Sequence, residues 1–289
     1  MKKIYKNNYL DELKLTNGKQ KDKPDFRVLS LGAGVQSSTL LLKMIEEEIQ
    51  PADVCIFADT GNEPKEVYEY LDYLIKFTNN KIPIYKIMKS NIVEDSLAEA
   101  EVGTNKGFLT MPVYAKNEEG KKSMGRRQCT NDYKIQPLHR KIRKLMGLKN
   151  LRGKSVEIVM GISFDEQQRA KTPKNQWQVH CYPFIPSEIT RQDCLDYYDS
   201  KEVTRPPRSA CIICPYHSNA EWLDMKNNYP DDFKFAVEFD EKIRNKGKDG
   251  YKNYLHRTMI PLKDINFTVK PKGYQMTLQL DDCEGMCGL

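Results

Sequence analysis

Cysteines and a glycine-serine turn are the residues of this chain whose spacing suits chemistry. Among its eight cysteines, the pair Cys211-Ile212-Ile213-Cys214-Pro215, the tail pair Cys283 and Cys287, and Cys129 form the most specific local signal. A CxxC brings two sulfurs around one ion or cluster, and distant cysteines complete four ligands. Cys129, Cys211, Cys214 and Cys283 are therefore candidate metal ligands, with Cys287 as the other claimant to the fourth place. Zinc and a four-iron cluster are not separated by this spacing, and a set of inert buried thiols is the plain alternative. Cys55 and Cys194 lie in apolar-periodic segments and are expected in the core. Cys181 stays open, and the four histidines are not grouped as a catalytic zinc site would need.

The turn Ser30-Leu31-Gly32-Ala33-Gly34-Val35-Gln36-Ser37-Ser38-Thr39 follows an apolar run and opens an apolar-periodic helix. Gly32 and Gly34 let backbone fold closely around an anion, while the helix start offers unpaired N–H groups and the positive end of a dipole. Hydroxyls of Ser37, Ser38 and Thr39 add donors. The pattern is neither GxxxxGK[ST] nor a correct GxGxxG, so the competing reading is an ordinary strand-to-helix turn.

Three further stretches follow strand-like runs or gather charge. Asp59-Thr60-Gly61 stands after a strand, where open α/β sheets place ligand contacts; a capped turn uses the same residues. Gly161-Ile162-Ser163-Phe164-Asp165-Glu166-Gln167-Gln168-Arg169 also follows a strand. There Arg169 suits a bidentate phosphate or sulfonate contact, and Asp165 and Glu166 suit a ribose hydroxyl or a metal ion. Arg126-Arg127-Gln128-Cys129-Thr130-Asn131-Asp132-Tyr133-Lys134 sets cations around one thiol, which favours thiolate and oxyanions.

The elements that must position these residues alternate. Arg27 to Ser30 reads as a strand, Ser37 to Glu48 as a helix, Asp53 to Ala58 as a strand, Val67 to Ile75 as an amphipathic helix and Ile82 to Ile87 as a strand. A helix over Lys134–Met146 and a strand over Val156–Met160 continue the pattern. The fold class is thus α/β, an open mostly parallel sheet flanked by helices. Residues 1–24 read as a flexible basic arm, 25–205 as the nucleotide-binding domain and 206–289 as a cysteine-rich C-terminal extension. Residues 101–128 lack a period and read as a functional or disordered loop.

Size and composition, 289 residues with 39% hydrophobic and 30% charged, are those of a globular protein. No apolar stretch approaches the roughly 20 residues needed to span a bilayer, and Met1 to Lys6 lacks a signal-peptide core, so the expectation is a cytoplasmic protein without membrane contact. A net charge of +6 favours anionic partners. The lysines are expected in tails and loops rather than on one helical face, so nucleic acid is a permitted partner, as is an oligomer.

Together, Leu29 to Ser37, Ala58-Asp59-Thr60-Gly61-Asn62-Glu63-Pro64, Cys129 to Leu138 and Gly161 to Arg169 resemble the phosphoadenosine phosphosulfate reductase family of the PP-loop, or adenine nucleotide alpha hydrolase-like, superfamily. The likeness covers about residues 26–200. It implies a parallel sheet with adenosine at the strand ends and its phosphate or sulfate on the first loop. Ser30, Gly34, Gln36 and Ser37 would then cradle the anion, and Asp59, Thr60 and Gly61 would border adenosine. Lys134 matches the lysine before Pro-Leu and Arg169 the oxyanion-binding arginine. Gln36 stands where the ATP-cleaving branch has Asp. The tail Met286-Cys287-Gly288-Leu289 lacks the family's Glu and His. Cys211 and Cys214 are more like the cluster-binding tails of phage and DNA-sulfur-modifying relatives.

Three functions compete. In the first, a sulfonucleotide reductase, Cys287 attacks the sulfonate sulfur of an adenosine phosphosulfate while Lys134 and Arg169 offset charge, and a thiol reductant completes the cycle. In the second, an ATP- and Mg-dependent sulfurtransferase adenylylates an oxygen on a nucleic acid and replaces it with sulfur carried by cysteine or a [4Fe–4S] cluster, with a sulfur donor protein as partner. A non-catalytic nucleotide- or metal-sensing module is the third.

Overall fold

The computed structural model describes residues 9–19, 21–99, 109–201, 203–246 and 250–268. Its elements run β1 (Leu13–Thr16), β2 (Phe26–Leu31), α1 (Val35–Ile45), β3 (Val54–Asp59), α2 (Lys65–Phe77), β4 (Ile84–Met88) and α3 (Ile92–Glu99). After them come β5 (Tyr114–Asn117), β6 (Lys122–Met124), α4 (Gln136–Leu145), β7 (Val156–Val159), β8 (Gln178–Tyr182), α5 (Arg191–Lys201), α6 (Asn219–Asn228), α7 (Pro230–Ile243) and β9 (Tyr251–Tyr254).

Six strands form one sheet in the order β1-β8-β7-β2-β3-β4, parallel except for β1 on β8. The fold is an open, mostly parallel α/β sheet flanked by helices. Strand periodicity divides its two faces. Leu29, Leu31, Cys55 and Phe57 pack under α1, α2 and α5, while Val28, Val54, Ile56 and Ile158 pack against Leu138 and Ile142 of α4. Cys55 and Cys194 are core residues, and Cys181 joins them.

The chain moves outward from β2 to β3 and β4, then returns to place β7 on the other side of β2. This reversal puts a crevice between the loops after β2 and β7, the position where open α/β sheets bind ligands.

Two sequence expectations are corrected. Residues 1–24 are not an arm throughout, because Leu13–Thr16 closes the sheet edge on β8. What holds it there is charge: Arg27 pairs with both Glu12 and Glu157, and Lys14 reaches Glu157 at 2.5 Å. A polar segment reads as loose only until its partners, more than a hundred residues away, are known. Of residues 101–128, the described part, 109–128, holds a hairpin of β5 and β6, and β5 pairs on its other edge with β9. Leu109, Met111, Val113 and Tyr133 share a core with Ile213, Trp222, Phe239 and Leu255, so the C-terminal segment packs jointly with this earlier insertion.

Arg27 and Glu157 are each 2% exposed. Arg27→Ala leaves Glu12 and the buried Glu157 with Lys14 alone to offset both charges and is expected to cost about 3 kcal/mol in urea unfolding at pH 7.5; an unchanged midpoint would show the network to be ornamental. Burial also lowers the histidines: His139, His217 and His256 are pushed down to about 4, and His180 moves the same way. The unfolded chain takes up these protons below about pH 6.5. The stability from neutral imidazoles is therefore full above that pH and is lost as pH falls toward the folded values. The urea midpoint should be lower at pH 5.5 than at pH 7.5.

Candidate functional site

The crevice between β2 and β7 is built from two turns pressed together. A Cβ on Gly161 would meet the carbonyl of Gln36 and the Cα of Ser37 at 2.9 Å, so only glycine lets the loop after β7 lie against the first turn of α1. In the turn after β2, Ala33 is left-handed at φ 56° and bends the chain sharply into the helix. Gly34 has no side chain to cap α1, which leaves the first-turn amides for an incoming anion. Ser37 Oγ accepts from the amide of Gly32 at 3.1 Å, and Ser30 is buried one residue before the strand ends.

Gln36 is 1% exposed. Its Nε2 donates to Ser163 Oγ at 2.5 Å and to Glu166 Oε2 at 3.1 Å, while its Oε1 is buried with no donor among the described residues. Such an acceptor is costly unless a ligand N–H or O–H completes it. Glu166 also holds Arg169, so three predicted site residues, Gln36, Glu166 and Arg169, form one chain of hydrogen bonds. Asp165 departs from them: it is exposed and accepts from the amide of Arg191 at the start of α5. An acidic residue at a helix start is an ordinary cap, and here that role takes it.

At the end of β3, Asp59 is fixed by the amide of Gly61 at 2.7 Å, the hydroxyl of Tyr68 at 2.8 Å and the ammonium of Lys86 at 3.1 Å. Gly61, at φ 75°, packs on Asn91. Thr60 faces the other way, and its Oγ1 lies 3.1 Å from Cys211 Sγ and 3.1 Å from Glu63.

Beyond Thr60 is a small cleft of about 30 Å³ lined by Cys129, Cys211, Cys214, Lys134, Arg127 and the apolar walls of Ile92, Met111, Ile213 and Pro215. Cysteines more than eighty positions apart in sequence thus face one space. Cys211 and Cys214 are joined by a tight turn, the amide of Cys214 donating to the carbonyl of Cys211 at 3.0 Å. Lys134 lies in a wide turn, Thr130–Ile135, that runs into α4, and its ammonium is 3.7 Å from Glu63. Arg127 stacks over Tyr216 at 4.8 Å. Soft sulfur donors, apolar walls and two cations fit a negatively charged metal-thiolate group. Cys283 and Cys287 lie outside the described residues.

Glu12, Glu157 and Cys181 also bring ligand atoms together. Their surroundings do not fit a metal: Arg27 and Lys14 already neutralise both carboxylates, and burial pushes the Cys181 thiol upward, away from thiolate.

Sequence reasoning missed Glu63, Tyr68, Ser163 and Ser209 as parts of the site. Ser209 donates to the carbonyl of Gly32, and the amide of Ile212 reaches the carbonyl of Asn62 at 2.9 Å. The C-terminal segment is thereby stitched to the turns after β2 and β3. Ser163, in the quoted turn after β7, and Glu63, in the quoted stretch from Ala58 to Pro64, carried a local signal.

Gly161→Ala is expected to destabilise the protein by about 1–3 kcal/mol through overpacking. A loss below 0.5 kcal/mol in chemical unfolding would mean the two turns separate cheaply.

No known family profile matches the sequence, and no curated protein does. Among solved structures, the chain is similar to phosphoadenylyl-sulfate (PAPS) reductase from Candida auris in a phosphate complex, at 13% identity and a TM-score of 0.39, over 64% of this chain and 76% of that one. It is also similar to the U34-tRNA thiolase from Methanococcus maripaludis with its [4Fe-4S] cluster, at 11% identity and a TM-score of 0.39, over 77% of this chain and 74% of that one. These likenesses concern the arrangement of strands and helices and say nothing of the reaction.

Proposed function

We propose that this chain is an adenine-nucleotide-dependent enzyme of sulfur chemistry, a PP-loop protein in the manner of the sulfonucleotide reductases. One observation carries the reading: Cys129, Cys211, Cys214 and Lys134 line a cleft walled by Thr60, the residue that directly follows β3, the strand beside the one that leads into the glycine turn. Nucleotide phosphate or sulfate would sit on the amides of Gly34 to Ser37. Adenosine or ribose would satisfy the buried Oε1 of Gln36 and border Asp59 to Gly61, while Arg169, held by Glu166, would face the anion.

Sulfonucleotide reduction is favoured by Gln36, an amide whose donors are spent on Ser163 and Glu166 and which offers no carboxylate for Mg²⁺. In that reaction a cysteine thiolate attacks the sulfonate sulfur, and the S–O bond to the nucleotide phosphate breaks with its electron pair leaving on the phosphate. A second thiol then attacks the S-sulfonated cysteine, forming a disulfide and releasing sulfite. Cys287 is the nucleophile in this scheme. Lys134 would offset the developing charge.

Thiolation of a nucleic acid through an adenylylated intermediate is the second reading. The three converging cysteines favour it, since they are suited to hold three corners of an iron-sulfur cluster, with zinc as the alternative. Such a cluster, when bound, supplies electrons or a site for a sulfur atom. Cys129, Cys211 and Cys214 would anchor it, and Arg127 and Lys134 would balance its charge.

Anaerobically purified protein should bind adenosine phosphosulfate or ATP, with Gln36→Ala raising Kd about tenfold. Cys211→Ser should leave nucleotide affinity within about twofold while abolishing product and lowering bound iron or zinc. Sulfite release identifies the first reaction, and nucleic-acid-dependent pyrophosphate release the second. Unaltered nucleotide affinity in Gln36→Ala, or full turnover in Cys211→Ser, would refute the assignment.

A further inference from the structure

On one side of α4, away from the cysteines, lies an open groove of about 1330 Å³ whose described lining contains no carboxylate. Lys19, Lys21, Arg143, Arg152, Lys154 and Lys174 supply its charge, from four separate segments of chain. These are the β1–β2 loop, α4, the α4–β7 connection and the segment before β8. The stretch from Gln136 to Lys154 has no acidic residue at all. Asp25 lies against two of the cations, at 2.6 Å from Lys21 and 3.8 Å from Lys154. The groove remains strongly positive.

Its loops are fixed against one another. A Cβ on Gly18 would fall 2.1 Å from the carbonyl of Gln176, so only glycine allows this contact. Asn17 Nδ2 donates to the carbonyl of Lys174 at 3.1 Å, and Lys21 reaches the carbonyl of Gly153 at 3.3 Å. The half-buried Trp177 ring is pinned edge-on by His139 at 5.0 Å, and His139 is itself held by Gln178 at 2.7 Å. A preorganised surface of this kind spends little ordering entropy on binding.

We propose that this groove binds a nucleic-acid strand through its phosphate backbone. The charge matches a polyanion, and its spread over four segments suits a row of phosphates better than a single one. Asn17, Asn150, Asn175, Gln136 and Gln176 add amides that can both donate and accept, as sugar and base-edge recognition requires. Trp177 supplies an aromatic face or edge against which a base can pack. The volume exceeds that of usual small-ligand pockets, roughly 300–1,000 Å³. Leu151 and Trp177 are the only aliphatic or aromatic hydrocarbon side chains in the described lining, too few for the broad apolar face that an interfacial membrane surface needs. Helix α4 joins the groove to the cysteine cleft: Gln136 at its start lines the groove, and Lys134, two residues earlier, lines the cleft.

The test uses the full chain and needs neither nucleotide nor turnover, so its result is separate from that for the sulfur chemistry. Fluorescence anisotropy with a labelled RNA hairpin, a duplex DNA and labelled heparin is measured between 50 and 200 mM KCl. At least one nucleic acid should bind, with an affinity that falls steeply with salt. Arg143→Glu/Arg152→Glu/Lys174→Glu should weaken it at least about tenfold and reduce the salt slope by about 2–3. Should that variant fail to fold, Arg152→Ala and Lys174→Ala, in exposed loops, are expected to lose about threefold each. The bound strand should also change the emission of Trp177, which is distinguishable because the other tryptophan, Trp222, is 0% exposed. No nucleic-acid binding at 50 mM KCl, unchanged affinity in the variants, or heparin binding alone with a silent Trp177 would overturn the proposal.

Discussion

The contact of Gly161 with the backbone of Gln36 and Ser37 is the constraint on which the crevice depends. It follows from topology: β7 returns to lie beside β2, and the loops leaving both strands meet at one end of the sheet. Where the two backbones touch, the side-chain amide of Gln36 is turned onto Ser163 and Glu166. Arg169 is then positioned through Glu166 rather than by its own surroundings. One glycine thus sets the direction of three polar side chains.

A second layer of order comes from the C-terminal segment. Residues 209–214 run across the strand ends, with Ser209 on the first turn and Ile212 and Ile213 on Asn62. This crossing brings Cys211 to Thr60 and closes the cysteine cleft against Cys129. The same segment is held by a core of its own, in which Trp222, Phe239 and Leu255 pack on Met111, Val113 and Tyr133. Site and satellite core are therefore coupled.

Charge is arranged on a similar principle, by segments that meet only in the fold. Around Arg27 opposite charges are buried together, and each offsets the desolvation of the others. Along α4 and its neighbouring loops like charges are left together at the surface, an arrangement that opposes compactness and favours an anionic partner. The sequence shows net charge but not this separation. A lysine in the β1–β2 loop and another before β8 become neighbours only through the Gly18–Gln176 contact.

The amino-acid sequence by itself determined the alternation of strands and helices from Phe26 to Met88 and again from Gln136 to Val159, because each of these elements announces its own period and its own turn. It also marked the glycine turn, Asp59 to Gly61 and the CxxC, because phosphate cradles and sulfur ligands need particular residues at short spacings. Tertiary structure decided the rest: that Leu13–Thr16 belongs to the sheet, that β9 pairs with β5, that Cys129 faces Cys211 and Cys214, and that Asp165 caps a helix while Glu166 turns inward. Each of these depends on partners far along the chain, and a local pattern holds no information about which distant group will share a buried space with it.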